Sequence, residues 1–149
     1  AVIGPFQNLA WHNFNSLLSA AIEQMSNGRI EVILPQNAGV WGTDGTLSIK
    51  LYVQAMRTIM TEAEFVVAIL DELYAGEHNH YGYLVNPTPS IPLIGLLTSP
   101  GPIPERMRQD TLVKACGDSV ILTNNLSLIG IEHQGRIIAT TVLNVMANR

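Results

Sequence analysis

Apolar residues recur every three or four positions early in the chain. Between residues 13 and 25 they predict an amphipathic helix that starts at Asn13 or Asn15 and stops at Asn27-Gly28; its apolar positions are Phe14, Leu17, Leu18, Ala21, Ile22 and Met25. A second helix is predicted over residues 61–74. It opens with TEAE at residues 61–64, which is a capping box, and it ends before Gly76.

Alternation of apolar and polar residues predicts strands elsewhere. Residues 29–34 place Ile30, Val32 and Leu34 on one face, and residues 47–55 alternate in the same way. Shorter strands are predicted at 81–85, 91–98, 120–122 and 126–133, and a weaker helix at 105–116. Residues 133–136 predict a hairpin turn from which 136–146 return antiparallel. The order of elements predicts one α+β domain, residues 1–149, with two main helices packed on a largely antiparallel sheet.

Prolines crowd the region from about residue 84 to residue 104. Since proline cannot donate to a sheet ladder, this region is predicted to be an extended arm with strands confined to sheet edges; its prolines are Pro87, Pro89, Pro92, Pro100, Pro102 and Pro104. An apolar arm of low charge is costly to expose on a free monomer. We therefore expect it to lie against a neighbouring subunit.

The composition changes the picture of the surface. Charged residues make up 13% of the 149 residues, against roughly 25% in typical globular domains. Interface cores are depleted in Lys, Glu and Asp, so the composition favours a homo-oligomer or a subunit of a larger assembly. A secreted or compositionally biased monomer is the alternative.

Net charge, hydropathy and cysteine content exclude several classes of protein. A net charge of −4 and scattered arginines argue against nucleic-acid binding. No apolar run reaches the ~18 residues of a membrane-spanning helix, and the N-terminal AVIGPFQNLAWHN lacks the pattern of a signal peptide. Cys116 is the single cysteine, so no intrachain disulfide is possible. We expect a cytoplasmic or virion protein.

Two histidines in GEHNHYGY, residues 76–83, are the strongest candidates for chemistry. His78 and His80 would share one face of a strand and could reach one metal ion. Glu77 would point to the other face, and His12 is remote in sequence. With no visible third ligand, the pattern is more typical of a polar turn, so His78, His80, Glu77 and His12 are weak catalytic candidates and the first two weak metal candidates.

Other signals for catalysis or a cofactor are weak. Cys116 lies near the end of a predicted helix, which favours a buried, unreactive thiol. The sequence contains no GxSxG motif, and the glycines of the loop around Trp41 lack the context of a phosphate-binding loop. Glu62, Glu64, Asp71 and Glu72 are assigned structural places on the second helix. No cofactor is predicted.

These observations favour a non-enzymatic assembly subunit that forms a ring or shell, with itself and other assembly proteins as partners. The order helix, strand, strand, helix, strands resembles that of small phage tail-terminator and neck proteins, in topology alone. The predicted interface residues are Trp41, Tyr81, Tyr83, Ile91, Leu93, Ile94, Leu96 and Leu97. The alternatives are a small oligomeric enzyme or ligand-binding protein with a histidine-containing site at a subunit boundary, and an adaptor that binds a peptide on a sheet edge.

Overall fold

The computed structural model describes residues 1–71, 91–98, 103–116, 120–122 and 128–148. Its strands are β1 (Val2–Ile3), β2 (Val66–Ile69), β3 (Leu93–Leu97) and β4 (Val120–Leu122). Its helices are α1 (Leu9–Met25), α2 (Ile49–Glu62), α3 (Glu105–Arg108), α4 (Thr111–Cys116) and α5 (Leu128–Ala147), with a 3₁₀ turn at Pro35–Asn37.

The strands form one parallel sheet in the order β1-β2-β3-β4. Val67 pairs with Val2 on one side and with Ile94 on the other, and Leu96 pairs with Ile121. Because the strands run in the same direction, their carboxyl ends all lie at the same edge of the sheet, and crossovers must connect them. That edge and its opposite are called the carboxyl edge and the amino edge below.

Residues 30–34 extend the sheet beyond β1 without forming a regular strand. The Val2 amide donates to the Ile33 carbonyl at 3.1 Å. Ile30, Val32 and Leu34 pack into the core on one face of the sheet and Ile33 into the core on the other. The predicted alternation of residues 29–34 is therefore present, on a segment joined to β1 by this bond.

Helices cover both faces of the sheet. On one face, α1 and α5 pack against alternate strand residues such as Val67, Ile69 and Ile94. On the other, α2 and α4 pack against Val66, Ala68 and their neighbours. This is a doubly wound α/β arrangement: the chain leaves β1 through α1 to residues 30–34, then returns through α2 on the opposite face to β2, on the other side of β1.

The predicted antiparallel sheet of an α+β fold is wrong, because every described strand pair is parallel. Residues 49–55 of the predicted strand belong to α2, where Tyr52, Ala55, Met56 and Ile59 are buried at helical spacing. The Ser48 hydroxyl caps this helix by accepting from the Leu51 amide at 3.3 Å. The alternation there coincided with a helical period.

The helix predicted at 61–74 is also wrong. Thr61, assigned as its cap, lies in the last turn of α2 and donates to the Arg57 carbonyl at 2.9 Å. The apolar run that follows is β2, whose residues are all buried. A strand covered on both faces is apolar throughout, so its sequence lacks the alternation of a half-exposed strand.

From Leu128 onward, the helix α5 replaces the two strands and the hairpin that were predicted over residues 126–146. Residues 126 and 127 lie outside the described residues. Gly135, assigned to the turn, lies where α5 crosses α1. A Cβ added there would be 2.6 Å from the Ala21 Cβ. Here glycine permits close helix packing, and a turn is not required.

Four predicted elements are confirmed: α1, β3, β4 and the helical stretch at 105–116, which is divided into α3 and α4. The predicted start of α1 at Asn13 or Asn15 is wrong, because the helix begins at Leu9 and is capped by Asn8. The extended arm is not confirmed where it can be compared, because β3 pairs on both sides in the middle of the sheet. Pro92 precedes this strand and leaves its ladder intact. Residues 84–90 and 99–102 lie outside the described residues. The element order behind the resemblance to tail-terminator and neck proteins is not observed.

Candidate functional site

The doubly wound topology singles out the carboxyl edge near β1 and β2. In open parallel sheets, ligands bind outside the carboxyl ends of the strands, where the chain changes its direction of winding. Here that point lies between β1 and β2. The segments that leave the strands at this edge begin with Gly4 after β1, Pro35 after residues 30–34, Leu70 after β2 and Thr98 after β3.

Gly4 brings the exit of β1 against β2. A Cβ added to Gly4 would be 2.7 Å from the Cβ of Ile69, closer than real Cβ contacts allow. Ile69 is fully buried, so it has little room to yield. Glycine is therefore required for the close approach of the two chains at the point where the winding changes.

Asp71 is an acidic group at this edge. It follows Leu70 at the end of β2, and its carboxylate is fixed by the residue after β3. Its Oδ1 accepts from the Thr98 amide at 3.0 Å, and its Oδ2 accepts from the Thr98 hydroxyl at 2.7 Å. Thr98 is buried and Asp71 half-buried. The result is a carboxylate held in a set orientation between two central strands.

A buried polar network fixes the neighbouring segments. The Asn15 side-chain amide donates to the Pro5 carbonyl at 2.9 Å and to Gln36 Oε1 at 3.3 Å. Gln36 Nε2 donates to the His12 carbonyl and to the Ser16 hydroxyl, both at 3.0 Å. These bonds connect the β1 exit, the 3₁₀ turn and the first turns of α1. The network is incomplete, because Asn15 Oδ1 is buried and has no hydrogen-bond partner in the described part of the chain.

Aromatic contacts anchor the loop that follows the 3₁₀ turn. The ring of Trp41 meets that of Phe6 edge-on, with centroids 5.7 Å apart, and Phe6 also contacts Tyr52 at 6.0 Å. The Trp41 indole donates to the Gln36 carbonyl at 2.9 Å. Trp41, predicted as an interface anchor, is thus half-buried against its own chain.

The tip of the same loop is closed by Asp44. Its carboxylate accepts from the Thr46 hydroxyl at 2.8 Å and from the Thr46 amide at 3.0 Å. These bonds lower the pKa of Asp44, the hydroxyl contributing most. Asp44 is exposed, so the contacts define a turn and no pocket.

The predicted chemical residues are only partly visible. His78, His80, Glu77, Tyr81 and Tyr83 lie outside the described residues. His12 is half-buried in the first turn of α1, where its carbonyl accepts from Gln36. Over the described ranges, no three side chains among His, Cys, Asp and Glu come together as a metal site would require.

The remaining predicted interface residues belong to β3 and its approach. Ile91 and Leu93 are half-buried, while Ile94, Leu96 and Leu97 are fully buried in the two cores. These three side chains have no exposed surface in the described structure. The predicted interface stays a prediction that depends on composition and on residues outside the described ranges.

Cys116 is buried at the end of α4, as expected for a structural thiol. Burial raises the pKa of this thiol to about 11. The cause is loss of solvation, whereas the sequence argument relied on the helix dipole. At neutral pH the side chain is a protonated, weakly nucleophilic group.

Asp71 was not predicted as a candidate site residue, because the sequence pattern assigned it to a helix. The usable signal is its position directly after the apolar run FVVAIL at 65–70. A carboxylate at the end of a fully buried parallel strand lies at the carboxyl edge, where ligands bind.

Among residues 1–71, 91–98, 103–116, 120–122 and 128–148, none belongs to a helix with the length and apolar character needed to cross a bilayer. Comparison with protein-family models, with curated protein sequences and with solved structures found no match.

Proposed function

We propose that this protein binds a small polar molecule at the carboxyl edge, in the crevice beside β1 and β2, as a ligand-binding protein or a small enzyme. The observation that carries the proposal is the Asp71 carboxylate, which Thr98 orients at the end of the central strands. Preorganised charged groups at the switch point of a doubly wound sheet are typical of ligand sites.

The chemistry of Asp71 defines the class of ligand. An ionised carboxylate accepts hydrogen bonds and donates none. A ligand that hydrogen-bonds to Asp71 must therefore bring O–H or N–H groups, so hydroxyl-bearing or amine-bearing molecules are favoured and anions are disfavoured.

The same group could take part in catalysis. A half-buried carboxylate next to a bound hydroxyl or amine can orient it or accept its proton. His12 lies at the same end of the fold, as a second polar side chain on the first turn of α1. We propose the carboxyl edge as the location of the site in the predicted enzyme or ligand-binding alternative, with Asp71 in place of the histidine pair as its central group.

The test is a titration with neutral polyols, primary amines and carboxylates of matched size. Asp71→Asn keeps the shape of the side chain and removes its charge. A hydrogen bond to a charged group contributes about 1.5–3 kcal/mol, so Asp71→Asn is expected to weaken binding by about 10–100-fold. Thr98→Val removes one of the two orienting bonds and should give a smaller loss.

Glu31→Gln is the matched control, since it makes the same chemical change on an exposed residue of segment 30–34. It should leave the affinity for polyols unchanged. The proposal is wrong if no polyol or amine binds, or if Asp71→Asn and Glu31→Gln weaken polyol binding equally.

A second candidate function is the assembly subunit predicted from composition. It is favoured by two large apolar side chains at helix starts, Leu9 and Ile49, each 76% exposed. Both helices begin at the carboxyl edge, because each follows a segment that ends there. Light scattering over a concentration series tests this function: a ring or larger particle supports it, and a monomer at high concentration excludes it.

A further inference from the structure

A separate cavity of about 520 Å³ opens at the amino edge, on the opposite end of the sheet from Asp71. It lies between the entry to β2, segment 30–34 and the second half of α5. Ligand pockets are typically about 300–1,000 Å³, so the space suits a small organic molecule.

The walls of this cavity are apolar. Ile30 and Val32 line one side, Phe65 another, and Val142 and Met146 of α5 complete it. Val142 is buried, the side chains of Ile30, Val32 and Phe65 are half-buried, and Met146 is exposed at the rim. The floor is formed by core residues, namely Val2, Ile22, Val67 and Ile138.

The charged side chains that line the cavity are exposed, and so they lie around its mouth. Glu31, Glu62 and Glu64 contribute three carboxylates and Arg29 one guanidinium. The Ala1 nitrogen donates a hydrogen bond to the Phe65 carbonyl at 2.7 Å. Formal side-chain charge at the mouth is therefore negative.

We propose that the amino-edge cavity binds an organic cation with an apolar body, such as an alkylamine. The apolar part would occupy the space between Phe65 and α5, where it is removed from water. The ammonium would remain at the mouth among the carboxylates, half-solvated, as amphipathic cations prefer. A carboxylate ligand of the same length would meet like charges.

The test uses three six-carbon probes, n-hexylamine, hexan-1-ol and hexanoate, titrated calorimetrically into the whole chain at pH 7 and low salt. Exposed ion pairs contribute up to about 1 kcal/mol each. Hexylamine is therefore expected to bind about tenfold more tightly than hexanol, and hexanoate more weakly than both. Equal affinity for amine and alcohol, or tighter binding of hexanoate, would overturn the proposal.

Variants locate the binding. Met146→Trp changes a rim residue that is 37% exposed, and it should weaken both hexylamine and hexanol because it fills the cavity. Glu31→Gln should weaken hexylamine alone, by about two- to fivefold. If Asp71→Asn abolishes hexylamine binding while Glu31→Gln and Met146→Trp leave it unchanged, the amine occupies only the carboxyl edge and the proposed second cavity site is wrong.

Discussion

The assignment of residues 49–62 as a helix, where a strand was predicted over residues 47–55, can be tested with two substitutions that the two structures rank oppositely. In α2, Met56 is 0% exposed and Ile49 is 76% exposed. In the predicted strand, Ile49 belonged to the buried face and Met56 did not. Truncating each side chain to alanine therefore shows whether these residues have the burial pattern of a helix or that of the predicted strand.

The expected magnitudes differ widely. Met56→Ala removes a fully buried side chain between α2 and the sheet, and large-to-small core substitutions of this type cost about 2–5 kcal/mol. Ile49→Ala changes an exposed position, where effects lie within about 0.5 kcal/mol. At about 2–4 °C per kcal/mol for a chain of this size, Met56→Ala should lower Tm by several degrees or more and Ile49→Ala hardly at all.

The assay is urea unfolding of both variants followed by circular dichroism, with Tm as a second measure. Equal m-values would show that both variants unfold from similarly folded states. The assignment of α2 fails if Ile49→Ala is the more destabilising of the two.

Three further predictions concern other parts of the fold. Iodoacetamide should alkylate Cys116 slowly in the native protein at pH 8 and faster in denaturant, and fast alkylation of the native protein would contradict the burial of this thiol. Because burial raises the pKa of the thiol to about 11, its contribution to the free energy of unfolding is lost as pH rises through about 9–11. Gly4→Ala should destabilise by about 1–3 kcal/mol in urea unfolding, since its Cβ would meet Ile69 at 2.7 Å; a neutral result would mean that β1 and β2 are farther apart. Asn8→Ala should cost about 1 kcal/mol by the same measurement, because Asn8 accepts from the Trp11 amide at 2.9 Å, and no loss would exclude this cap.

The sequence identified helices and strands correctly where one periodicity dominated. Residues of α1 follow a helical period, and the helix stops just before Asn27-Gly28, both with positive φ. The predicted stop therefore agrees with the structure, whereas the start lies at Leu9, before the predicted Asn13 or Asn15. Residues 47–55 fit two periods at once. Their alternation was visible, but burial of Met56 and Ile59 depends on which face the sheet offers, and that is a tertiary property.

Longer apolar runs were ambiguous for a different reason. Both β2 and α5 are rich in apolar residues, and a strand covered on both faces cannot be distinguished from a buried helix by periodicity alone. Reversing these two assignments turned a parallel α/β sheet into an antiparallel one. Gly135 reinforced the error, because close packing on Ala21 and a hairpin turn both require a small residue.

The site followed from the fold, so its prediction failed with it. Asp71 can be recognised as a candidate site residue only when residues 66–69 form a parallel strand and Thr98 follows the adjacent strand. The sequence places these two residues far apart and offers no signal for their hydrogen bonds. The spacing of His78 and His80 indicated a weak candidate metal site, and both residues lie outside the described residues.

The most direct test of the central proposal is the position of a bound polyol or amine, measured by ¹H–¹⁵N NMR on the wild-type chain. The Thr98 amide donates to Asp71 Oδ1 at 3.0 Å, so its proton chemical shift reports on the carboxylate. The proposal predicts saturable shifts of the Thr98 amide and of neighbouring amides at the carboxyl edge. Saturable binding that leaves the Thr98 amide unshifted, or that shifts only amides at the amino edge, would contradict it.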